Sequence, residues 1–117
     1  MPPTTTYERG RIVLVRFPFT DLTSTKQRPA LVIASRSLTA TAEDLIVAAI
    51  SGQRVERPGK FDYVVRAWER AGLLRPSVVR AGKLVTLHRD LIRRTLGALP
   101  TIELEAVDEL LRAALGL

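Results

Sequence analysis

Arginine dominates the residues of this chain that could do chemistry. Fifteen of its 18 cationic side chains are arginine, and lysine occurs only at Lys26, Lys60 and Lys83. Guanidinium is planar, permanently charged and suited to forked contact with phosphate. The other usual agents are scarce: His88 is the single histidine and cysteine is absent. One histidine excludes two-histidine metal sites, and the lack of cysteine excludes thiolate nucleophiles and cysteine-held zinc. A serine–histidine–acid triad would have to use His88, which ends an apparent strand beside Arg89 and Asp90, and no sharp-turn serine motif accompanies it. His88 is read as a surface or loop residue. No glycine-rich phosphate loop or dinucleotide fingerprint is present. An enzyme built from this set works with arginine, hydroxyls and backbone donors. Charge stabilisation then does most of the work, and phosphodiester transfer is the obvious reaction of that kind.

The charge balance points the same way. The chain carries a formal net charge of +6, with a sequence pI near 10.7. Glu103, Glu105, Asp108 and Glu109 crowd the last segment, whereas residues 9–100 carry the arginine excess. A basic body with an acidic cap implies a polyanion partner, nucleic acid or acidic peptide; the plainer alternative is a basic surface that serves only solvation. A length of 117 residues suits one domain spanning 1–117, with residues 1–8 as a loose lead-in. No apolar run approaches the roughly 18 residues that crossing a bilayer requires, and the first residues lack the pattern of a secretory signal. The sequence reads as that of a cytoplasmic protein with no membrane partner.

The elements that must position these side chains are mostly strands. RIVLVRF at 11–17, ALVIAS at 30–35 and LIVAAIS at 45–51 are apolar and rich in β-branched residues, as buried strands are. Pro29 suits the start of the second, where a missing N–H is tolerated. Residues 20–27 and 52–60 are polar and turn-rich, and 37–44 reads as a further connection. Residues 61–65 predict a fourth strand, and 67–74 a helical turn ending at Gly72. Residues 77–80 and 83–88 predict two short strands hinged at Ala81-Gly82. Residues 92–99 read as strand rather than helix, because Gly97 and Pro100 bracket them. The last segment predicts a helix: Leu104, Val107, Leu110, Leu111 and Ala114 form one apolar stripe, with Glu105, Asp108, Glu109 and Arg112 opposite. Thr101 is placed as its N-cap, and Glu103 in the first turn suits the helix dipole. Together these predict a mainly β (α+β) fold, a small, strongly bent sheet or barrel closed by a C-terminal helix.

Three segments in combination resemble the MazF/PemK-type toxin family, the ribosome-independent mRNA endoribonucleases of toxin–antitoxin pairs. They are GRIVLVRFPF at 10–19 running through the polar loop to RPALVI at 28–33, VAAISGQ at 47–53, and LRPSVVRAGKLVTL at 74–87. The resemblance implies an SH3-like barrel of about five to seven strands with a C-terminal helix, acting as a homodimer. It also implies sequence-selective cleavage of single-stranded mRNA through the RNA's own 2′-hydroxyl, without a metal. An acidic antitoxin with a disordered tail is the implied protein partner. Arg28 matches the family's catalytic arginine, and Ser51 its hydroxyl position, usually threonine. Candidate RNA contacts are Thr23, Ser24 and Lys26 in the first loop, with Arg75, Ser77 and Arg80 in the third segment.

In-line attack by a 2′-oxygen needs donors aimed at the phosphoryl oxygens as charge builds, and proton transfer to the leaving 5′-oxygen. A forked guanidinium at 28 and a hydroxyl at 51 supply donors of that kind. One departure matters: where some relatives carry an aspartate two residues after an arginine, this chain has Arg75-Pro76-Ser77, and serine does not readily take a proton at neutral pH. The base is therefore unassigned. A non-cleaving nucleic-acid or gyrase-binding toxin on the same fold, in the manner of CcdB-type relatives, is the alternative reading.

Overall fold

The structure, a computed structural model, describes residues 7–17 and 26–117. Thr23 and Ser24 lie outside the described residues. Among the described residues there are six strands: β1 (Arg11–Phe17), β2 (Lys26–Val32), β3 (Asp44–Ser51), β4 (Asp62–Val64), β5 (Val78–His88) and β6 (Ile92–Ala98). Helix α1 (Arg36–Thr41) lies between β2 and β3, and α2 (Thr101–Leu115) ends the chain. The strands form one antiparallel sheet in the order β4-β5-β3-β2-β1-β6. The fold is mainly β with a C-terminal helix, as the sequence predicts, although the edge strands β4 and β6 do not pair to close the sheet.

Apolar side chains cover both faces of the sheet's centre, which is why β1, β2 and β3 read as continuous hydrophobic runs instead of alternating ones. Ile12, Leu31, Ala48, Ile50 and Val79 belong to one cluster with Val107 and Leu111 of α2 and Val65, Ala71 and Leu73 of the β4–β5 connection. Val13, Val15, Ala30, Val32, Leu45, Val47, Leu87 and Ile92 form a second cluster. Alternation along each strand feeds the two clusters in turn. Trp68 packs against the first cluster, a core role in place of an exposed stacking platform.

Three sequence expectations are corrected. The stretch read as two strands hinged at Ala81-Gly82 is one 11-residue strand, β5. The irregularity is real but is a bulge: β3 pairs Ala48 with Leu84 and the next residue, Ala49, with Arg80, so residues 81–83 are extra on the β5 side. Connection 37–44 contains helix α1, capped by the Ser35 hydroxyl accepting from the Leu38 N–H at 3.3 Å. Thr101 is the first helical residue of α2, and Pro100 is its N-cap without a side-chain hydrogen bond.

Helix α2 is fastened by more than its apolar stripe. Arg9 forms an ion pair with Asp108 and donates from Nε to the Ile33 carbonyl at 3.0 Å, so Asp108 ties the helix to the start of β1. Glu103 is 5% exposed. Its carboxylate accepts from the Tyr63 hydroxyl at 2.8 Å and from the backbone N–H groups of Arg66 at 2.6 Å and Ala67 at 3.2 Å. A buried carboxylate persists only when its oxygens are satisfied in this way.

Candidate active site

The site is created by a fork in the sheet. Strands β2 and β3 pair only at Ala30↔Ala49, Leu31↔Ala48 and Val32↔Val47. Before Ala30, β2 stays with β1 back to Phe17↔Lys26, while beyond Ala49, β3 stays with β5 to Ser51↔Val78. Pro29, with no N–H to give to a ladder, stands at the parting. Continuing the β2–β3 register past its last pair sets Arg28 opposite Ser51, one on each side of the fork. Alternation assigns these two residues to one face of the sheet, and Pro29, Leu14 and Ile50 to the other.

A cleft of about 390 Å³ opens at this fork. Leu14, Pro29, Ile50, Leu73 and Leu96 give it apolar walls, and Gln27, Arg28, Gln53, Arg75 and Arg94 supply polar groups. Its lining also includes Gly52, Leu74 and Ser77, and among the described residues it contains no carboxylate and no histidine. The three arginines come from β2, from the segment before β5, and from β6, and none of them forms an ion pair among the described residues. Among the described residues nothing pairs with their positive charge.

Two glycines and a serine hydroxyl hold the wall at 71–77 in place, and a carboxylate clamps the loop opposite. Gly72 and Gly97 face each other across the backbone: a Cβ at Gly72 would lie 2.1 Å from the Leu96 carbonyl oxygen, and one at Gly97 2.2 Å from that of Ala71. Gly72 also has φ +88°, the left-handed region that glycine tolerates. Ser77 is 3% exposed, and its hydroxyl donates to the Arg75 carbonyl at 2.9 Å, bracing the turn that carries Arg75. On the far side, Asp62 clamps the loop that follows β3, accepting from Arg54 Nε at 2.8 Å and from the Gly59 N–H at 2.7 Å. Burial pushes the Asp62 carboxyl upward, but the hydrogen bonds from Arg54 and Gly59 and the charges of Arg54 and Arg80 outweigh it and hold the carboxyl below its usual range.

The sequence-predicted site residues divide accordingly. Arg28, Arg75 and Ser77 line the one cleft. Ser51 flanks it between two lining residues, Ile50 and Gly52, and its Oγ accepts from the Gln53 N–H at 3.2 Å. Lys26 is exposed at the outer end of β2 and is not among the lining residues. Arg80 pairs with Asp62 at 3.6 Å and takes no part in the cleft. His88 is also elsewhere, its Nδ1 accepting from the Asp90 N–H at 3.0 Å. Sequence reasoning missed Arg94, which reaches the cleft because β6 pairs with β1 and sets it beside Leu14. No local signal announces a pairing between the first and last strands.

Solved structures share the fold. The fold matches MazF from Deinococcus radiodurans with a TM-score of 0.78 and 21% identity over 97% of this chain and 100% of that one. It matches an endoribonuclease solved with its cognate antitoxin, from a mycobacterial species, with a TM-score of 0.76 and 16% identity over 97% of each chain. A Mycobacterium tuberculosis MazF toxin matches with a TM-score of 0.75 and 22% identity over 92% of this chain and 97% of that one. No curated protein sequence matches closely enough to count as a relative. The sequence profile of the PemK-like, MazF-like toxins of type II toxin–antitoxin systems matches residues 8–115, and the chain belongs to that family.

Proposed function

We propose that the protein is a metal-independent endoribonuclease toxin that cleaves single-stranded mRNA with sequence selectivity, by attack of the RNA's own 2′-hydroxyl. The observation that carries this reading is the cleft at the fork: Arg28, Arg75 and Arg94 line it with no carboxylate among its described lining residues, and Ser51 lies in sequence between two of those residues, Ile50 and Gly52. In the reaction the 2′-oxygen bonds to phosphorus as the bond to the 5′-oxygen breaks, leaving a cyclic phosphate and a 5′-hydroxyl. Arg28 donates to the phosphoryl oxygens as negative charge builds, and the Ser51 hydroxyl assists from the other side of the fork. Guanidinium stays protonated throughout, so its role is electrostatic rather than acid–base. The apolar walls receive bases. We further propose that two copies act together in the cytoplasm, and that the disordered tail of an acidic antitoxin competes with RNA for the arginines.

A second reading, a non-cleaving nucleic-acid or gyrase-binding toxin, is favoured by the lack of any carboxylate or histidine among the described lining residues. A fluorescence-quenched RNA mixture in EDTA separates the two. The wild type is expected to cut it, and Arg28→Ala to cut about 10²–10³-fold more slowly, the loss typical of one transition-state donor. RNA left intact by the wild type in every sequence context removes the nuclease reading.

A further inference from the structure

A second recess of about 360 Å³ adjoins the cleft and shares three of its residues, Gly52, Gln53 and Arg75; Val55, Glu56 and Pro76 complete it. Arg75 is the partition between the two. Its aliphatic stem lies across Gly52, so closely that a Cβ there would stand 2.5 Å from Arg75 Cδ. Arg75 thus belongs to two adjoining hollows, an arrangement that suits a phosphate flanked by two nucleotides. The hollows differ in chemistry. Among the described residues the cleft has three arginines and no carboxylate, whereas the recess has an exposed carboxylate, Glu56, together with the Gln53 amide. Glu56 forms no ion pair among the described residues, so its acceptors are open to a ligand.

We infer that this recess is a base-reading subsite for the nucleotide neighbouring the one held in the cleft, and that Glu56 selects a base with amino and imino donors on its Watson–Crick edge. Guanine offers two such donors to a carboxylate, cytosine and adenine one amino group, and uracil a single imino group between two carbonyls that a carboxylate repels. The preferred order is guanine first and uracil last. Unpaired bases are read on these edges, and a carboxylate is the natural acceptor for their amino groups. The Asp62 clamp fixes the loop that carries Glu56, so the reader is preorganised.

The inference rests on the nuclease reading, and the test keeps the two apart. A pool of single-stranded oligoribonucleotides with randomised positions is incubated in EDTA with wild type or Glu56→Gln, and the cut ends are sequenced. Glu56 is exposed, so an unchanged thermal midpoint checks the fold. The wild type is expected to show guanine at one position flanking the cut, and Glu56→Gln to flatten that preference by roughly tenfold or more at that position alone. Cutting with identical profiles in both proteins overturns the base-reading subsite and leaves the nuclease standing. If the pool is retained but uncut, the nuclease reading fails, and the retained sequences are compared in the same way, flattening by Glu56→Gln supporting the subsite and identical profiles overturning it. A pool neither cut nor retained overturns both.

Discussion

Buried carboxylates do much of the positioning in this molecule, and Glu103 shows how far a residue's surroundings can depart from its local reading. By position it is a first-turn acid suited to the helix dipole. By spacing it lies four residues before Val107 and eight before Leu111, on the buried side of α2, so the apolar stripe itself held the clue. What the stripe could not reveal is the partner set, because Tyr63 and the N–H groups of Arg66 and Ala67 come from a segment about 40 residues away. Tyr63 feels the consequence: burial, then the hydrogen bond to Glu103 and its charge, push the phenol up from 10.0 to about 12. A raised folded value means that the native state holds the proton more tightly than the unfolded chain. The resulting stabilisation is complete below pH 10 and is lost as the pH climbs towards 12. Urea midpoints measured across that window are expected to fall more steeply for the wild type than for Tyr63→Phe, which has no proton to lose. Parallel curves would show that the phenol contributes nothing to the latch.

Strands and helix are largely legible from hydrophobic pattern, since runs such as RIVLVRF have few other uses. Their order in the sheet is not, because pairing is decided by which apolar faces must be covered together. Pro29 reads as a strand start, but β2 begins three residues earlier at Lys26 because β1 pairs with it there, and the parting of β2 from β3 emerges only when both ladders are known. Glycine is similarly opaque: Gly52 and Gly97 look alike in sequence and do different work. A methyl at Gly97 would meet a backbone carbonyl at 2.2 Å that cannot move without dragging the 71–77 wall. A methyl at Gly52 meets only the flexible stem of Arg75. Gly97→Ala is therefore expected to lose about 1–3 kcal/mol of unfolding free energy together with RNA cleavage. Gly52→Ala should stay within about 0.5 kcal/mol of wild type and lose activity only through the displaced guanidinium. Chemical denaturation beside the cleavage assay distinguishes them, and equal stability losses would refute the contrast.

At the scale of the whole molecule, the net charge of +6 is less informative than its sorting. Asp62, Glu103 and Asp108 are engaged in structural hydrogen bonds or ion pairs, and they take Arg9, Arg54 and Arg80 out of use for ligands. Arg28, Arg75 and Arg94 line one cleft and form no ion pair among the described residues. Composition predicts a polyanion partner, yet it cannot say which cations pair with acids of the fold, as Arg80 does with Asp62. The sorting has a thermodynamic signature. Each phosphate neutralised on a single strand releases condensed counterions and adds about −0.7 to the slope of log K against log salt. Three cleft arginines thus set a slope of about −2 per cleft, and Arg75→Ala is expected to reduce its magnitude by about 0.7. Arg80→Ala should leave the slope unchanged, because Arg80 does not line the cleft. Fluorescence anisotropy of a labelled oligoribonucleotide, titrated at several KCl concentrations, reads these slopes directly. If Arg80→Ala flattened the slope as much as Arg75→Ala, RNA would be bound over a diffuse basic surface, with no special role for the fork.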